Sequence, residues 1–288
     1  VAGKPDRHLS VRDAAITLGV PDTTVRLWLD RGDLAGGGSP QWVSDRSVRA
    51  RLASREQRRS VRLAVTVGAL KGGVGKSTTV WVLACLLAAE GGRVLVVDAD
   101  TNSQSLTQWA NRYIAAGGQL PFEVLPWATH DLIVGVRRRL EGVDHLLIDT
   151  GPDGGDLTLL QAALAVAPIL LVPLAPRDIE LSRLWATLEA ARRGAALTGQ
   201  PAYPLVLLNR ISLSRLAERD QARTNLAAAP ALRDVPVADP EVRDLAVFTR
   251  MTVPLTVAGC GDYVGVLDEL RAFASRIEET SWPSRLSE

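Results

Sequence analysis

The stretch GALKGGVGKSTTV, Gly68–Val80, limits what this chain can fold into more than any other part of it. It follows an apolar run, LAVTVGA (63–69), and opens a helical stretch, KSTTVWVLACLLAAEGG. Gly72, Gly73 and Gly75 allow backbone angles closed to other residues and let main-chain amides approach an anion. The helix N-terminus adds the positive end of its dipole. In such a loop, running through Val74, Lys76 reaches the β- and γ-phosphates of a nucleotide. Ser77, followed by Thr78, offers a hydroxyl to Mg²⁺. The strict spacing G-x-x-x-x-G-K-[ST] is broken, because Leu70 stands where the first glycine belongs; the run fits the variant K-G-G-x-G-K-[ST] instead. That variant carries a second lysine, Lys71, which one nucleotide does not require.

Further β-rich runs occur at 93–99, 145–150, 169–174 and 204–209, with weaker ones at 122–126 and 235–239. Unbroken apolar strands separated by amphipathic helices indicate a parallel sheet buried on both faces. Asp98 and Asp100 in VLVVDAD and Asp149 in HLLIDT fall at strand ends, the edge where open α/β sheets bind ligands. A single strand-end aspartate can be a loop cap; three beside a phosphate loop point to a metal–phosphate site, with Asp149 placed as a Walker B carboxylate.

These residues carry a resemblance. Segment 63–278 resembles the ParA/MinD family of deviant Walker A ATPases, and most of all the ParA partition ATPases, through KGGVGKST, VDAD, LLIDT, LLVPLAP and LLNR. The resemblance implies a P-loop NTPase fold, ATP and Mg²⁺ as ligands, and a homodimer that sandwiches two nucleotides. It implies slow ATP hydrolysis stimulated by DNA and a ParB-like centromere-binding protein. It gives Lys71 the part of the signature lysine that crosses to the other subunit's phosphates. Asp100 matches the aspartate that positions the attacking water, Asn209 the adenine contact, and Asp149 a residue of the Mg²⁺ shell. Two loops depart from the pattern. The usual D-P-Q-G is here Asp100-Thr101-Asn102-Ser103-Gln104, and the usual D-T-P-P or D-T-P-G is Asp149-Thr150-Gly151-Pro152. Both changes bear on hydrolysis more than on binding.

The net charge of +1 hides an asymmetry: residues 1–62 carry 12 basic and 7 acidic side chains, the remainder 21 and 25. A basic segment ahead of an acidic body suggests two modules with different partners. The division expected is 1–60, 61–280 and a polar tail, 281–288. In LSVRDAAITLGVPDTTVRLWLDRGDL, Ser10 can cap a first helix with Asp13 in the capping-box position, and a second helix should run from about Asp22 to Gly32. Val25, Trp28 and Leu29 fall on one face, leaving Thr23, Thr24 and Arg26 outside. A glycine-rich tip and a third, basic helix capped by Ser44 follow. The order resembles the MerR and excisionase winged helix–turn–helix modules, which implies DNA reading; a solvated helical arm would share the same pattern.

Arg215, Arg219 and Arg223 lie four apart and would form one basic stripe on a helix, suited to DNA phosphates; Glu218 and Asp220 make an ordinary charged face equally consistent. The C-terminal stretch YVGVLDELRAFASRIEET sets Val264, Leu267, Leu270, Phe273 and Ile277 on one face. Its acidic residues favour packing on the body over the basic amphipathic helix of a MinD-like membrane binder. The seven tryptophans read as packing residues. Two distant cysteines and three unclustered histidines argue against a zinc site and a disulfide framework, which suits a reducing cytoplasm. The N-terminus shows no signal-peptide pattern, and no apolar run reaches membrane-spanning length. The expected protein is a nucleoid-associated, cytoplasmic DNA-partition ATPase that does not bind membrane. The alternatives are an ATP-responsive repressor of its own operon and a MinD-like positioning ATPase.

Overall fold

A computed structural model describes residues 7–18, 20–49, 51, 63–129, 131–152, 158–176, 181–249 and 253–281. Contacts divide the chain into two compact units, Val1–Arg62 and Leu63–Glu288. The expected basic helix beyond residue 51 and the tail at 282–288 lie outside the described residues.

The first unit holds β1 (His8–Ser10), α1 (Val11–Leu18), α2 (Asp22–Asp30), β2 (Gly36–Gly37), β3 (Trp42–Ser44) and α3, described over 45–49. The strands form an antiparallel sheet in the order β1-β3-β2. Val11, Ala14, Ala15 and Leu18 recur at helical spacing, which gives α1 one apolar face; it packs with Val25, Val43 and Val48 into a small core. Ser10 starts α1: its Oγ accepts the Asp13 amide at 3.0 Å and donates to Asp13 Oδ2 at 2.6 Å. Ser44 does the same for α3, accepting the Ser47 amide at 3.0 Å. Trp28 and Leu29 cover this core from its edge. Strand β1 was not expected from the sequence; three residues directly ahead of a helix are too short to show a period.

The second unit is a six-stranded sheet flanked by helices. Its strands are β4 (Leu63–Val67), β5 (Val94–Ala99), β6 (Glu123–Pro126), β7 (His145–Thr150), β8 (Ile169–Leu174) and β9 (Tyr203–Leu208), in the order β6-β5-β7-β4-β8-β9. Every pairing is parallel. All residues of β4, β5 and β8 are buried, as expected of strands covered on both faces. The connecting helices are α4 (Lys76–Ala89), α5 (Ser105–Ala115), α6 (Leu132–Arg137), α7 (Thr158–Leu164), α8 (Leu181–Thr198), α9 (Leu216–Ala228) and α10 (Tyr263–Ser281). Helix α4 is apolar all round, with every residue from Thr79 to Leu87 buried. It lies between the sheet and a cover formed by α5 and α10.

Two expectations need correction here. The run at 235–239 is not a strand. It contributes one bridge, Val206 to Val237, because Pro236 has no amide to extend a ladder. The buried face of α10 is also rotated: Leu267, Leu270, Phe273 and Ile277 are buried, but Val264 is 41% exposed and Tyr263 and Val266 take its place. The Tyr263 hydroxyl meets Thr79 Oγ1 of α4 at 2.9 Å and fixes that rotation. The helix therefore spends its apolar face on the unit's own core. Among the described residues no helix is long and apolar enough to cross a membrane.

Candidate functional site

The ends of β4, β5 and β7 converge on one edge of the sheet. Parallel register places Asp149 beside Val67 on one side and beside Asp98 on the other. The loop 68–75 leaves β4 at this edge and turns into α4. Gly73 and Gly75 have left-handed backbones, φ +74° and +92°, and a Cβ at Gly75 would lie 2.5 Å from Asn209 Nδ2. No side chain caps the N-terminus of α4, so its dipole end faces an open cleft. That cleft has a volume of about 450 Å³, and its walls include Gly72, Lys76, Ser77, Thr78, Asp100 and Asn209.

The loop carbonyls are tied back to the chain. Lys76 Nζ donates to Lys71 O at 2.9 Å, Arg210 Nη1 to Gly73 O at 2.7 Å and Asn209 Nδ2 to Val74 O at 2.9 Å. Lys76 is only 6% exposed, a buried ammonium whose charge acts on Asp100 and Asp149. The carboxylates differ in their surroundings. Asp98 is held by Thr107, whose amide and hydroxyl donate to Oδ2 at 2.9 and 2.8 Å. Asp100 accepts the Asn102 and Ser103 amides at 2.8 and 3.2 Å and the Ser103 hydroxyl at 2.6 Å. Burial pushes its pKa up, but these hydrogen bonds and Lys76 outweigh burial and hold it below the ordinary value. The buried Asp149 has no hydrogen-bond partner on either oxygen. Burial, together with Asp98 and Asp100, raises its pKa to about 7; the Ser77 hydroxyl and Lys76 pull the other way, with Ser77 close by but outside hydrogen-bonding geometry.

A buried carboxylate with both oxygens unpaired, beside a serine hydroxyl, is a donor set of hard oxygens that suits Mg²⁺. Among the described residues no group of three His, Cys, Asp or Glu side chains is arranged to hold a metal ion by itself. A divalent ion here would take most of its ligands from phosphate and water, as Mg²⁺ does.

The two loops that depart from the family pattern meet at Asp100. Asn102 and Ser103 hydrogen-bond it, and a Cβ on Gly151 would lie 2.8 Å from its Oδ1. The glycine is thus required by the close approach of β7's end to Asp100. Lys71 is half-buried and stands outside the cleft wall, next to Gly72.

Other walls of the cleft were not foreseen: Trp109 of α5, Arg210, Arg243, Phe248 and Tyr263. Trp109 meets the buried Trp81 edge-on, at 5.7 Å between centroids, so this tryptophan is more than packing. Arg243 is fixed by a two-pronged pair with Asp262, at 2.8 and 2.7 Å. Only Arg210 left a signal, as the residue after Asn209; the rest arrive from far along the chain.

The basic stripe is not one helical face. Arg215 closes a 3-10 turn, Leu213–Arg215, and the helix proper begins at Leu216. Arg219 pairs with Asp220 at 2.6 Å and with Glu241 at 3.6 Å, and Arg223 with Glu241 at 2.6 Å. Arg215 reaches Glu218 at 3.5 Å. Acidic neighbours therefore offset much of its charge. In the first unit Thr23 and Arg26 are exposed and Thr24 is half-buried, and Arg26 Nη1 donates to Gln41 Oε1 of the β2–β3 connection at 2.5 Å.

Residues 65–247 match the CobQ/CobB/MinD/ParA nucleotide binding domain. Maintenance of carboxysome distribution protein A of Gloeobacter kilaueensis is 35% identical over 156 residues, 54% of this chain and 67% of that protein. Protein virC1 of Rhizobium rhizogenes is 30% identical over 195 residues, 65% of this chain and 79% of that protein. Among solved structures, the ATP complex of Cyanothece McdA aligns with a TM-score of 0.57 at 18% identity, over 76% of this chain and 97% of that one, a likeness of fold.

Proposed function

The chain belongs to the CobQ/CobB/MinD/ParA nucleotide-binding family, and from that premise we propose that it is an ATP-switched DNA-partition ATPase. At the coarser level it is a P-loop ATPase of the partition and positioning type, using ATP with Mg²⁺. In the finer reading two copies close on two ATP molecules, the closed pair binds DNA, and hydrolysis to ADP and phosphate opens it. The observation that carries the reading is the phosphate loop whose carbonyls are tied back by Lys76, Asn209 and Arg210, set against the unpaired carboxylate of Asp149.

Each residue then has a task. Lys76 exchanges its bond to Lys71 O for the β- and γ-phosphates. Ser77 and Asp149 would hold Mg²⁺, directly and through its water shell, and the ion offsets phosphate charge when bound. Asp100 keeps its charge, being held below the ordinary carboxylate pKa, and orients the attacking water with the lone pairs that Ser103 and Asn102 leave open. Asn209 and the walls contributed by Phe248 and Tyr263 face the base. Lys71 supplies its ammonium across the interface to the partner's phosphates. In a site closed to water such a charge acts far more strongly than at an open surface.

The first unit suits a winged helix–turn–helix that reads DNA. Helices α1 and α2 are joined across residues 19–21, and Arg26 ties α2 to the hairpin connection, so the two share one surface. The same feature favours the second reading, a repressor of the chain's own operon. A ParB-like partner that stimulates hydrolysis belongs to the partition reading.

Anisotropy of a labelled random duplex tests the proposal. The full chain is expected to bind it with Mg–ATP and release it with ADP. The logarithm of affinity should fall with the logarithm of salt by about 0.9 per phosphate contact. Alanine at Arg215, Arg219 and Arg223 should flatten that slope, and residues 63–288 alone should keep random binding but lose preference for an operator. Equal binding in ATP and ADP would remove the switch from the proposal.

A further inference from the structure

Asn209 and Arg210 are consecutive, and they donate to consecutive carbonyls of the phosphate loop, Val74 O at 2.9 Å and Gly73 O at 2.7 Å. In a trans peptide the N–H of one residue points opposite to the carbonyl of the residue before it. A donor on Gly73 O therefore turns the Val74 amide the other way, and a donor on Val74 O does the same for the Gly75 amide. Two side chains fix the direction of two loop amides. The loop cannot do this by itself, because glycines at 72, 73 and 75 leave its peptide planes free to rotate.

Arg210 is built for this task at a cost to its own backbone. Its φ is +60°, and Gln104 is the only other non-glycine residue with positive φ among the described residues. Its amide is held by Asn209 Oδ1 at 2.9 Å, so the two donors brace each other. Its Nε faces Asp244 Oδ1 at 3.4 Å, which steers the guanidinium from behind. A left-handed arginine with three anchors is not needed to end a strand; a glycine would end it more easily.

We infer that Arg210 is a positioning residue of the phosphate loop, which orients the Val74 amide toward the nucleotide's phosphates while Asn209 orients that of Gly75. This rests on the nucleotide-binding reading above and adds to it a residue that acts through the loop. Arginine suits the place because a carbonyl takes a strong, charge-assisted bond from it and its rigid fork also reaches Asp244.

The test uses the full chain, its Arg210→Gly and Arg210→Lys variants, and the fluorescent nucleotides mant-ATP and mant-ADP with Mg²⁺. Glycine takes φ +60° freely, so Arg210→Gly should fold and keep its nucleotide-free Tm. It should nevertheless bind both nucleotides about 10- to 100-fold more weakly, the worth of one charge-assisted hydrogen bond. Arg210→Lys, which keeps a cationic donor, should recover part of that loss. A purely structural arginine would move Tm and leave affinity alone. The inference is overturned if Arg210→Gly stays within about twofold of the unmodified chain, or if lysine is no better than glycine. Failure of the unmodified chain to bind either nucleotide would instead overturn the nucleotide-binding reading.

Discussion

Lys76→Ala is expected to abolish binding of Mg–ATP in an isothermal titration. The ammonium is buried, held at 2.9 Å from Lys71 O and within reach of the charges on Asp100 and Asp149. Its removal takes away the main cation facing the β- and γ-phosphates and leaves the carboxylates of the site unopposed. Losing two charge-assisted bonds to phosphate costs at least about 3 kcal/mol, roughly a 100-fold fall in affinity, before the added repulsion is counted. The variant's Tm without nucleotide separates lost binding from lost folding. An affinity within about twofold of the unmodified chain would remove the phosphate-loop assignment.

Asp149→Ala should move two measurements in opposite directions. Without metal, Asp149 is a buried carboxylate with no hydrogen bond, and burial raises its pKa to about 7. A carboxyl whose folded pKa lies above its unfolded value costs the native state stability. That cost is absent below pH ~4 and complete above pH ~7, because the unfolded chain releases the proton first. At pH 8 in EDTA the alanine variant should therefore melt higher than the unmodified chain, by the equivalent of about 1–3 kcal/mol after the loss from a small cavity. With Mg–ATP its turnover should fall by about 100-fold or more, since the metal loses an orienting carboxylate. A variant no more stable in EDTA would contradict the unpaired carboxylate, and unchanged turnover would contradict the metal role.

What could be read in the sequence followed the range of the physics. The phosphate loop, its strand and its helix are local patterns, and five of the six strands after residue 62 read as unbroken apolar runs; the sixth, β6, gave a weaker signal. Ser10 and Ser44 announced two helix starts because a cap is set within three residues. Trp109, Arg243, Phe248 and Tyr263 could not be placed, because they join the cleft through tertiary packing of α5, α10 and the segment between β9 and α10. The rotation of α10 was hidden for the same reason: periodicity gives an apolar face to within one residue, and the bond from Tyr263 to Thr79 decides which. The arginine stripe failed on detail, since the four-residue spacing was right but the helix starts one residue after Arg215 and Glu241 arrives from elsewhere. The two departing loops signalled something unusual around Asp100; only the fold shows that they close on the same carboxylate.

Sedimentation velocity with a non-hydrolysable ATP analogue and Mg²⁺, against ADP, tests most directly whether nucleotide joins two copies. The chain of 30.9 kDa should sediment at twice its mass with the analogue and as a single copy with ADP. Lys71→Ala should bind the analogue yet stay a single copy, because its ammonium is assigned to the partner's phosphates. An unmodified chain that remains a single copy at saturating analogue, or a Lys71→Ala variant that pairs as well as the unmodified one, would contradict the account.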